Sequence, residues 1–174
     1  MEALRPVALV GPMGAGKSAV ARMLGARLST TVADLDSRIE SAAGRSVAEL
    51  FGAGEAAFRA LETAALRRAI EDGAGVIACG GGIVLRPENR ALLRERCRTV
   101  WLDVAAAEAA RRVRDGASVR PLLGDGPLEP RLEQLCHERM AGYAEVAVAR
   151  VDTTGKDSTR VAELVLESLE IIRS

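Results

Sequence analysis

The fold of this chain is decided by one stretch, Gly11-Pro12-Met13-Gly14-Ala15-Gly16-Lys17-Ser18. It fits the pattern G-x-x-x-x-G-K-[ST], in which backbone N–H groups surround a phosphate, the lysine neutralises its charge and the hydroxyl reaches magnesium. The apolar run Val7–Val10 leads into it, as a buried strand would. A helix is indicated after it by apolar residues that share one helical face: Val20, Met23, Leu24 and Leu28. Strand, glycine loop and helix in this order predict a site for a nucleotide phosphate.

Length and charge restrict the class of protein. The chain has 174 residues, with 24 Lys plus Arg against 24 Asp plus Glu. Single domains typically run to about 100–200 residues, so we expect one compact α/β domain over 1–174. The balanced charge gives no attraction to nucleic acid or membrane, and one Trp, one Tyr and two Phe leave little for base stacking. We therefore expect neither nucleic acid nor a membrane as a partner.

The cysteines Cys79, Cys97 and Cys136 show neither CxxC nor Cys/His ligand spacing. An odd number without such spacing favours reduced, mostly buried thiols over a disulfide framework or a zinc site. No apolar run approaches the roughly 18 residues of a membrane span, and the first strand starts almost at the N-terminus. These features predict a cytoplasmic enzyme.

Strand and helix patterns alternate along the chain. Strands are expected at Val7–Val10, 30–33, 75–79, 99–102 and 148–151, and later helices at 37–43, 47–51, 55–72, 87–97, 105–114, 131–143 and 158–173. Ser46 and Glu49 predict a capping box at the start of the helix 47–51. Five strands separated by helical segments predict an α/β fold with a five-stranded parallel sheet and helices on both faces.

Two carboxylates, Asp34 and Asp36, follow the second expected strand. The carboxyl ends of parallel strands meet at the edge where open α/β sheets bind ligands. Magnesium and an acceptor hydroxyl would lie there. The alternative is that these acids cap the helix 37–43.

The third expected strand ends in Gly80-Gly81-Gly82. Three successive glycines cost conformational entropy, so they indicate a needed turn or a close approach of the backbone to a ligand. Most phosphate-loop kinases and ATPases place a magnesium-binding aspartate near the end of a comparable strand, and none stands here. Asp34 is therefore the expected carboxylate near the metal.

The helix 55–72 is expected to bury one apolar stripe: Phe58, Leu61, Ala65 and Ala69. Arg59 and Glu62 lie beside this stripe at i, i+3, near enough to pair. An isolated pair of this kind usually lies on the surface.

The alternation lapses at about 115–127, a stretch rich in Gly, Pro and Asp that contains Arg120-Pro121-Leu122-Leu123. We interpret it as a mobile lid that would exclude water from a phosphoryl group in transfer. Arg120 would be the cation of this lid. The alternative is that Arg120 is a solvated loop charge.

With these residues in place, the chain resembles the shikimate kinases from end to end. The resemblance rests on motifs in order: the GxxGxGKS loop at 11–18, Asp34-Leu35-Asp36, Gly54-Glu55 with Phe58-Arg59 and Glu62, the triplet 80–82, Arg120-Pro121-Leu122-Leu123, and Arg139 followed by Tyr143. It implies a P-loop kinase of the nucleoside monophosphate kinase type with a mobile lid. It also implies a substrate-binding region at about 34–62 and a monomer.

The resemblance further implies transfer of the ATP γ-phosphoryl group to the 3-hydroxyl of shikimate, on the route to aromatic amino acids. The implied catalytic residues are Lys17, Asp36 and Arg120. The implied shikimate ligands are Asp36, Arg59, Gly80, Gly81, Gly82 and Arg139. The implied ATP ligands are Gly14, Ala15, Gly16, Lys17, Ser18, Ala19, Arg112, Arg120 and Lys156, and Ser18 and Asp34 would bind Mg²⁺. Two arginines suit a carboxylate because their planar donor forks match its geometry.

Some positions depart from the common pattern of these kinases. Leu35 stands where Thr or Ser is more frequent, and residues 154–156 are not a close copy of the adenine loop. Ala141-Gly142 stands where Pro-Leu is usual. That difference predicts a looser helix end near Arg139.

Three other functions remain as alternatives. A kinase of another small polyol acid, such as gluconate or an aminated shikimate analogue, would keep the phosphate loop but change the substrate-binding set. A GTP-driven switch is disfavoured. Asp72-Gly73-Ala74-Gly75 matches the D-x-x-G pattern of such proteins, but it precedes a strand instead of following one, and no N-K-x-D guanine motif occurs. A binding protein without catalysis would be expected to lack Lys17, Asp34 or Asp36, and all three are present.

Overall fold

The computed structural model describes residues 5–116 and 126–171 of the chain. This part forms five strands, eight α-helices and a short 3-10 helix, Ile83–Leu85. The strands are β1 (Val7–Val10), β2 (Val32–Asp34), β3 (Val76–Ala78), β4 (Arg98–Asp103) and β5 (Ala149–Asp152). The helices are α1 (Lys17–Leu28), α2 (Leu35–Ala43), α3 (Val47–Ala53), α4 (Glu55–Glu71), α5 (Pro87–Arg96), α6 (Ala106–Asp115), α7 (Leu128–Val146) and α8 (Ser158–Ile171).

The sheet has the strand order β2-β3-β1-β4-β5, and every pair is parallel, which confirms the predicted sheet. Leu9 of β1 and Asp34 of β2 both align with Ala78 of β3. These three strands therefore end at one edge. The phosphate loop, the two aspartates and the glycine triplet all leave the sheet at this edge, although the sequence separates them.

Helices cover both faces of the sheet, as predicted. Successive residues of a strand point to opposite faces. Val7 and Leu9 pack in a core with α1 and α8, whereas Ala8 and Val10 pack in a second core with α4, α5 and α7. All four side chains are buried because each face has its own helical layer.

The start of the second strand differs from the prediction, since β2 begins at Val32 and not at residue 30. The N–H of Thr30 donates to Gly25 O at 3.0 Å, so Thr30 closes the end of α1 and does not join the sheet. Asp34 then caps α2, because the N–H of Ser37 donates to Asp34 Oδ1 at 3.2 Å. The capping alternative is therefore correct for Asp34, whereas Asp36 lies in the first turn of the helix.

The predicted capping box of α3 is confirmed. The N–H of Glu49 donates to Ser46 Oγ at 3.2 Å, and the N–H of Ser46 donates to Glu49 Oε2 at 2.8 Å. The two bonds satisfy N–H groups that a helix start would otherwise leave unpaired.

The buried face of α4 differs from the prediction. Leu61 is 39% exposed, whereas Arg59 and Glu62 are buried next to Phe58. Leu28 of α1 is also exposed. A pattern that counts only apolar residues misses a face on which buried charges pair with each other. The alternative that Arg59 and Glu62 form an isolated pair on the surface is therefore wrong.

Residues 117–125 lie outside the described residues, and with them Arg120 and most of the predicted lid. Within the ranges that the structure describes, none of the helices combines the length and apolar character needed to span a membrane.

The three thiols differ in burial. Cys79 and Cys97 are buried and Cys136 is partly exposed, which confirms the expectation of mostly buried free thiols. Burial raises the pKa of Cys97 to about 12 and raises that of Cys79 well above its usual range. The pKa of Cys136 is also raised by burial, but this side chain remains accessible from solvent.

We expect a maleimide reagent at neutral pH to modify Cys136 at least about tenfold faster than Cys79 or Cys97, because only accessible thiolate reacts. Peptide mass spectrometry after timed labelling measures the three rates. Labelling in urea is the control, because unfolding should make the rates similar. Equal labelling of Cys97 and Cys136 in the folded protein would contradict the burial.

Candidate active site

A cavity of about 810 Å³ opens where β1, β2 and β3 end. Most residues predicted for the site line it: Gly14, Gly16, Lys17, Ser18, Ala19, Asp34, Asp36, Arg59, Gly80, Gly81, Gly82, Arg112 and Arg139. Ala15 is buried within the loop, and Lys156 is not among the lining residues. The tertiary structure thus brings the phosphate loop, both aspartates and the glycine triplet to one cavity.

The phosphate loop passes too close to its neighbours for side chains at Gly11 and Gly14. A Cβ at Gly11 would lie 2.1 Å from Leu102 O, and one at Gly14 would lie 2.8 Å from Ala109 Cα. The φ angles of these two glycines are +142° and +79°, in a region that L residues rarely adopt. The glycine pattern is therefore a packing requirement as well as a phosphate motif.

Lys17 is the first residue of α1 and folds back on the loop. Its Nζ donates to Gly11 O and Pro12 O, at 2.8 Å each. The ammonium charge therefore lies at the N-terminal end of the helix, where the helix dipole is also positive. Together they favour an anion at the loop.

Ser18 and Asp34 meet beside the loop. Ser18 Oγ donates to Asp34 Oδ2 at 2.5 Å, so a hydroxyl oxygen and a carboxylate oxygen lie at one place. Among the described residues, no cluster of three or more His, Cys, Asp or Glu could hold a metal ion. A site with one carboxylate and one hydroxyl fits Mg²⁺, which takes few protein oxygens and completes its shell with phosphates and water.

The glycine triplet forms a turn, in which the N–H of Ile83 donates to Gly80 O at 3.1 Å, but this turn does not require glycine, because none of the three residues has a positive φ. Close packing explains the glycines. A Cβ at Gly80 would lie 2.7 Å from Glu62 Oε1 and 3.2 Å from Asp36 Oδ1. A Cβ at Gly82 would lie 2.1 Å from Arg59 Nη1. The absent side chains make room for the charged groups of α2 and α4.

Arg59 and Glu62 form a buried ion pair on α4. Arg59 Nη1 donates to Glu62 Oε2 at 2.6 Å, and the two side chains are 8% and 2% exposed. Arg59 Nη2 also reaches Glu55 Oε1 at 3.2 Å. The guanidinium carbon lies 5.5 Å from the ring centroids of both Phe51 and Phe58. These contacts fix the guanidinium group at the cavity wall.

Glu62 is surrounded by charges from several elements. Burial raises the pKa of its carboxyl group, Arg59 and Arg139 oppose this increase, and Asp36 adds to it. Arg139 is itself buried on α7, next to the triplet, because a Cβ at Gly81 would lie 3.3 Å from Arg139 Nη1. Two guanidinium groups and two carboxyl groups thus surround the glycine triplet.

Arg112 connects the phosphate loop to the loop that follows β5. Its Nη1 donates to Gly14 O and Thr153 Oγ1, and its Nη2 donates to Thr153 O and Lys156 O, over 2.8–3.3 Å. Its Nε donates to Glu108 Oε1 at 3.0 Å. All its N–H groups therefore have acceptors in the protein, and only the guanidinium face is left for a ligand.

The helix that carries Arg139 is not looser at Ala141 and Gly142, and this prediction is wrong. α7 continues without a break to Val146. A Cβ at Gly142 would lie 2.9 Å from Val84 Cβ, so the glycine lets the helix pack against the segment after the triplet.

The sequence reasoning missed the contribution of Tyr143 to this wall. The hydroxyl of Tyr143 donates to Gly81 O at 2.6 Å. The available signal was the i, i+4 spacing of Arg139 and Tyr143, which places both on one face of a helix. No local pattern connects them to a glycine on another strand end.

The class of protein follows from this geometry. A phosphate loop at the start of a helix, a Ser–Asp oxygen pair beside it and a second, arginine-lined wall in the same cavity define a P-loop kinase with a small-molecule acceptor.

Comparisons with known proteins give the family. The family model "Shikimate kinase" matches residues 13–170. A shikimate kinase of Streptomyces coelicolor is 42% identical over 166 residues, which is 95% of each chain. The structure of the shikimate kinase from Acinetobacter baumannii in complex with shikimate has a TM-score of 0.90 and 34% identity, and the match covers 97% of this chain and 94% of that one. The chain belongs to the shikimate kinase family.

A more distant structure supports the wider fold assignment. Deoxyadenosine kinase from M. mycoides with bound dATP has a TM-score of 0.62 at 13% identity, over 95% of this chain and 99% of that one. At this identity the likeness concerns the fold alone. The predicted α/β fold of a P-loop kinase is confirmed.

We expect Glu62→Gln to keep a hydrogen-bond acceptor for Arg59 and to remove the buried negative charge, so that the effect of the charge on stability can be measured by itself. Because the pKa of Glu62 is raised in the folded protein, its contribution to stability is present at low pH and is lost as the pH rises through that pKa. The free energy of unfolding of the variant should therefore rise relative to the wild type as the pH increases above about 4.5, the ordinary pKa of a glutamate.

Urea unfolding at several pH values measures this difference. Glu88→Gln is the control, because Glu88 forms an ion pair with Arg86 on the surface, where its side chain is 47% exposed. A Glu62→Gln difference that stays constant with pH would contradict the raised pKa.

Proposed function

We propose that this kinase transfers the γ-phosphoryl group of ATP to the 3-hydroxyl of shikimate, which gives shikimate 3-phosphate and ADP. One observation carries the proposal: a single cavity joins the phosphate loop to the wall of Asp36, Arg59, Arg139 and the glycine triplet. A donor phosphate and an anionic acceptor with several hydroxyl groups can meet there. Family membership and the shikimate complex of the Acinetobacter baumannii relative support the same acceptor.

Arg59 and Arg139 are the proposed ligands of the shikimate carboxylate. The guanidinium group of Arg59 lies next to Gly82, and that of Arg139 lies next to Gly81, so the two groups border adjacent residues of one segment. Planar guanidinium groups suit a carboxylate because they donate two parallel hydrogen bonds. Glu62 holds Arg59 in place, so little side-chain entropy is lost when the acid binds. Gly80 completes the wall beside Asp36.

The phosphate loop is the proposed site of ATP. Backbone N–H groups of the loop, together with Lys17, would surround the β- and γ-phosphates, and Lys17 would exchange its two carbonyl acceptors for phosphate oxygens. The residues proposed here are Gly14, Ala15, Gly16, Lys17, Ser18 and Ala19. Arg120, outside the described residues, is proposed as the second cation on these phosphates.

The adenine is proposed to lie at Arg112, near the loop after β5. Because the N–H groups of Arg112 are bound to protein acceptors, we propose that its flat face packs against the base. Lys156 belongs to the loop that Arg112 holds, since its carbonyl accepts from Arg112 Nη2 at 3.3 Å. We therefore propose that Lys156 lies at the adenine end of the site.

Magnesium is the proposed metal, and Ser18 and Asp34 are its proposed protein ligands. Their oxygens meet beside the loop, and this donor set fits the ion. When bound, Mg²⁺ would neutralise negative charge on the phosphate oxygens.

Asp36 is proposed to orient the attacking hydroxyl. Phosphoryl transfer has a loose transition state, so alignment and charge neutralisation matter more than a strong base. Asp36 lines the cavity that also contains the phosphate loop, and a Cβ at Gly80 would lie 3.2 Å from its Oδ1. Its carboxylate would accept the hydroxyl hydrogen bond, hold the oxygen in line with the γ-phosphorus and take the proton late in the transfer.

The substrate assignment is tested by release of ADP from MgATP, measured with a coupled assay. Shikimate should give saturable turnover, whereas gluconate and buffer without an acceptor should not. Turnover with gluconate and not with shikimate would retain the kinase and overturn the acceptor. No turnover with any of the three would favour the binding-protein alternative.

Asp36→Asn should lower kcat by at least about a hundredfold, because the amide keeps the shape but does not accept the proton. The affinity for MgADP, measured by calorimetry, should stay unchanged because the loop is intact. Asp72→Asn, in an exposed ion pair with Arg38, is the control for a surface aspartate. A kcat close to that of the wild type would remove Asp36 from the mechanism.

A further inference from the structure

Tyr143 is a completely buried group for which the proposed reaction has no role. Its side chain has no solvent exposure, and its hydroxyl donates to Gly81 O at 2.6 Å. Burial raises the pKa of the phenol far above its ordinary value, against an opposing effect of Arg139. The hydroxyl is therefore protonated, and a donor, at neutral pH.

Gly81, whose carbonyl oxygen accepts this hydrogen bond, lies close to both halves of the site. A Cβ at Gly81 would be 3.3 Å from Arg139 Nη1. The same Cβ would be 3.6 Å from Gly11 O and 3.8 Å from Met13 N, which belong to the phosphate loop. Gly81 thus lies where the wall that carries Arg139 meets the phosphate loop.

The ring of Tyr143 packs against another aromatic ring. Its centroid lies 5.7 Å from that of Trp101, at an interplanar angle of 37°. Trp101 belongs to β4 and is paired with Val10, the last residue before the phosphate loop. Tyr143 therefore connects the strand that carries the loop to the segment that carries Gly81.

Tyr143 also shares a helix with Arg139, one turn earlier in α7. Both residues border Gly81, since Tyr143 donates to its carbonyl oxygen and a Cβ at Gly81 would lie 3.3 Å from Arg139 Nη1. Arg139 and Tyr143 thus reach the same glycine from one helix. Displacement of Gly81 or Tyr143 would move this arginine relative to the phosphate loop.

We propose that Tyr143 is a positioning residue that sets the distance between the acceptor wall and the phosphate loop through its hydrogen bond to Gly81. The inference rests on the proposed function, because it assigns Gly81 and Arg139 to the acceptor. It predicts that loss of the hydroxyl impairs use of the acceptor while the nucleotide half is left intact.

Tyr143→Phe removes only the hydroxyl and is the direct test. We expect kcat/KM for shikimate to fall on the order of tenfold, because small misalignments of bound reactants are costly in phosphoryl transfer. The Kd for MgADP, measured by calorimetry, should remain within about twofold of the wild type, because the loop keeps its own contacts.

Thr99→Val is the matched control. Thr99 is equally buried, and its hydroxyl also donates to a backbone carbonyl, Leu93 O at 3.1 Å, but away from the cavity. Both variants should lose thermal stability, and only Tyr143→Phe should lose kcat/KM for shikimate. An equal loss in both variants, or no loss in either, would overturn the proposal and leave Tyr143 with a packing role alone.

A second measurement needs no substitution that risks the fold. Tyr143 is the only tyrosine of the chain, so growth with 3-fluorotyrosine places one ¹⁹F nucleus beside its hydroxyl. The single resonance should shift when shikimate saturates the labelled protein. A resonance that is unchanged by saturating shikimate would overturn the coupling of Tyr143 to the acceptor wall.

The two proposals fail in different ways. If the wild type phosphorylates another acid and not shikimate, the substrate assignment fails, and the Tyr143→Phe comparison is made with that acid. If the wild type phosphorylates shikimate and Tyr143→Phe does so equally well, only the positioning role fails.

Discussion

The close packing of the phosphate loop is the constraint on which the rest of the site depends. Gly11 lies so close to a carbonyl of β4, and Gly14 so close to α6, that neither position has room for a Cβ. Lys17 holds the first half of the loop, and Arg112 holds the carbonyl of Gly14. A loop that is ordered in this way before a nucleotide arrives loses little entropy on binding it.

The acceptor wall is ordered in a different way, by buried charged side chains that pack against the glycine triplet. A buried ion pair stabilises a protein only when its geometry and hydrogen bonds are complete. Arg59 has two carboxylate partners and two aromatic neighbours, and Gly82 leaves the space that its guanidinium group needs. The wall is therefore rigid and charged at the same time, which is what recognition of a small acid requires.

Local signals in the sequence predicted the local structures. The loop 11–18 and the capping box of Ser46 and Glu49 are found where the patterns indicate, and all five predicted parallel strands are present. Burial on α4 was predicted only in part: Phe58 and Ala69 are buried as expected, but apolar periodicity also assigns Leu61 to the core and leaves the charges to solvent. The start of β2 was missed because Thr30 is β-branched, like a strand residue, but ends α1 through its backbone.

By itself, the sequence determined the phosphate loop and the order of strands and helices, because these depend on neighbours along the chain and on motifs of fixed spacing. The tertiary structure alone decided the reason for the glycine triplet, the burial of Arg59 with Glu62 and the bond from Tyr143 to Gly81. Each of these depends on distances between separate elements. Such distances follow from the parallel order of β2, β3 and β1 and from the packing of α4 and α7, which no local pattern contains.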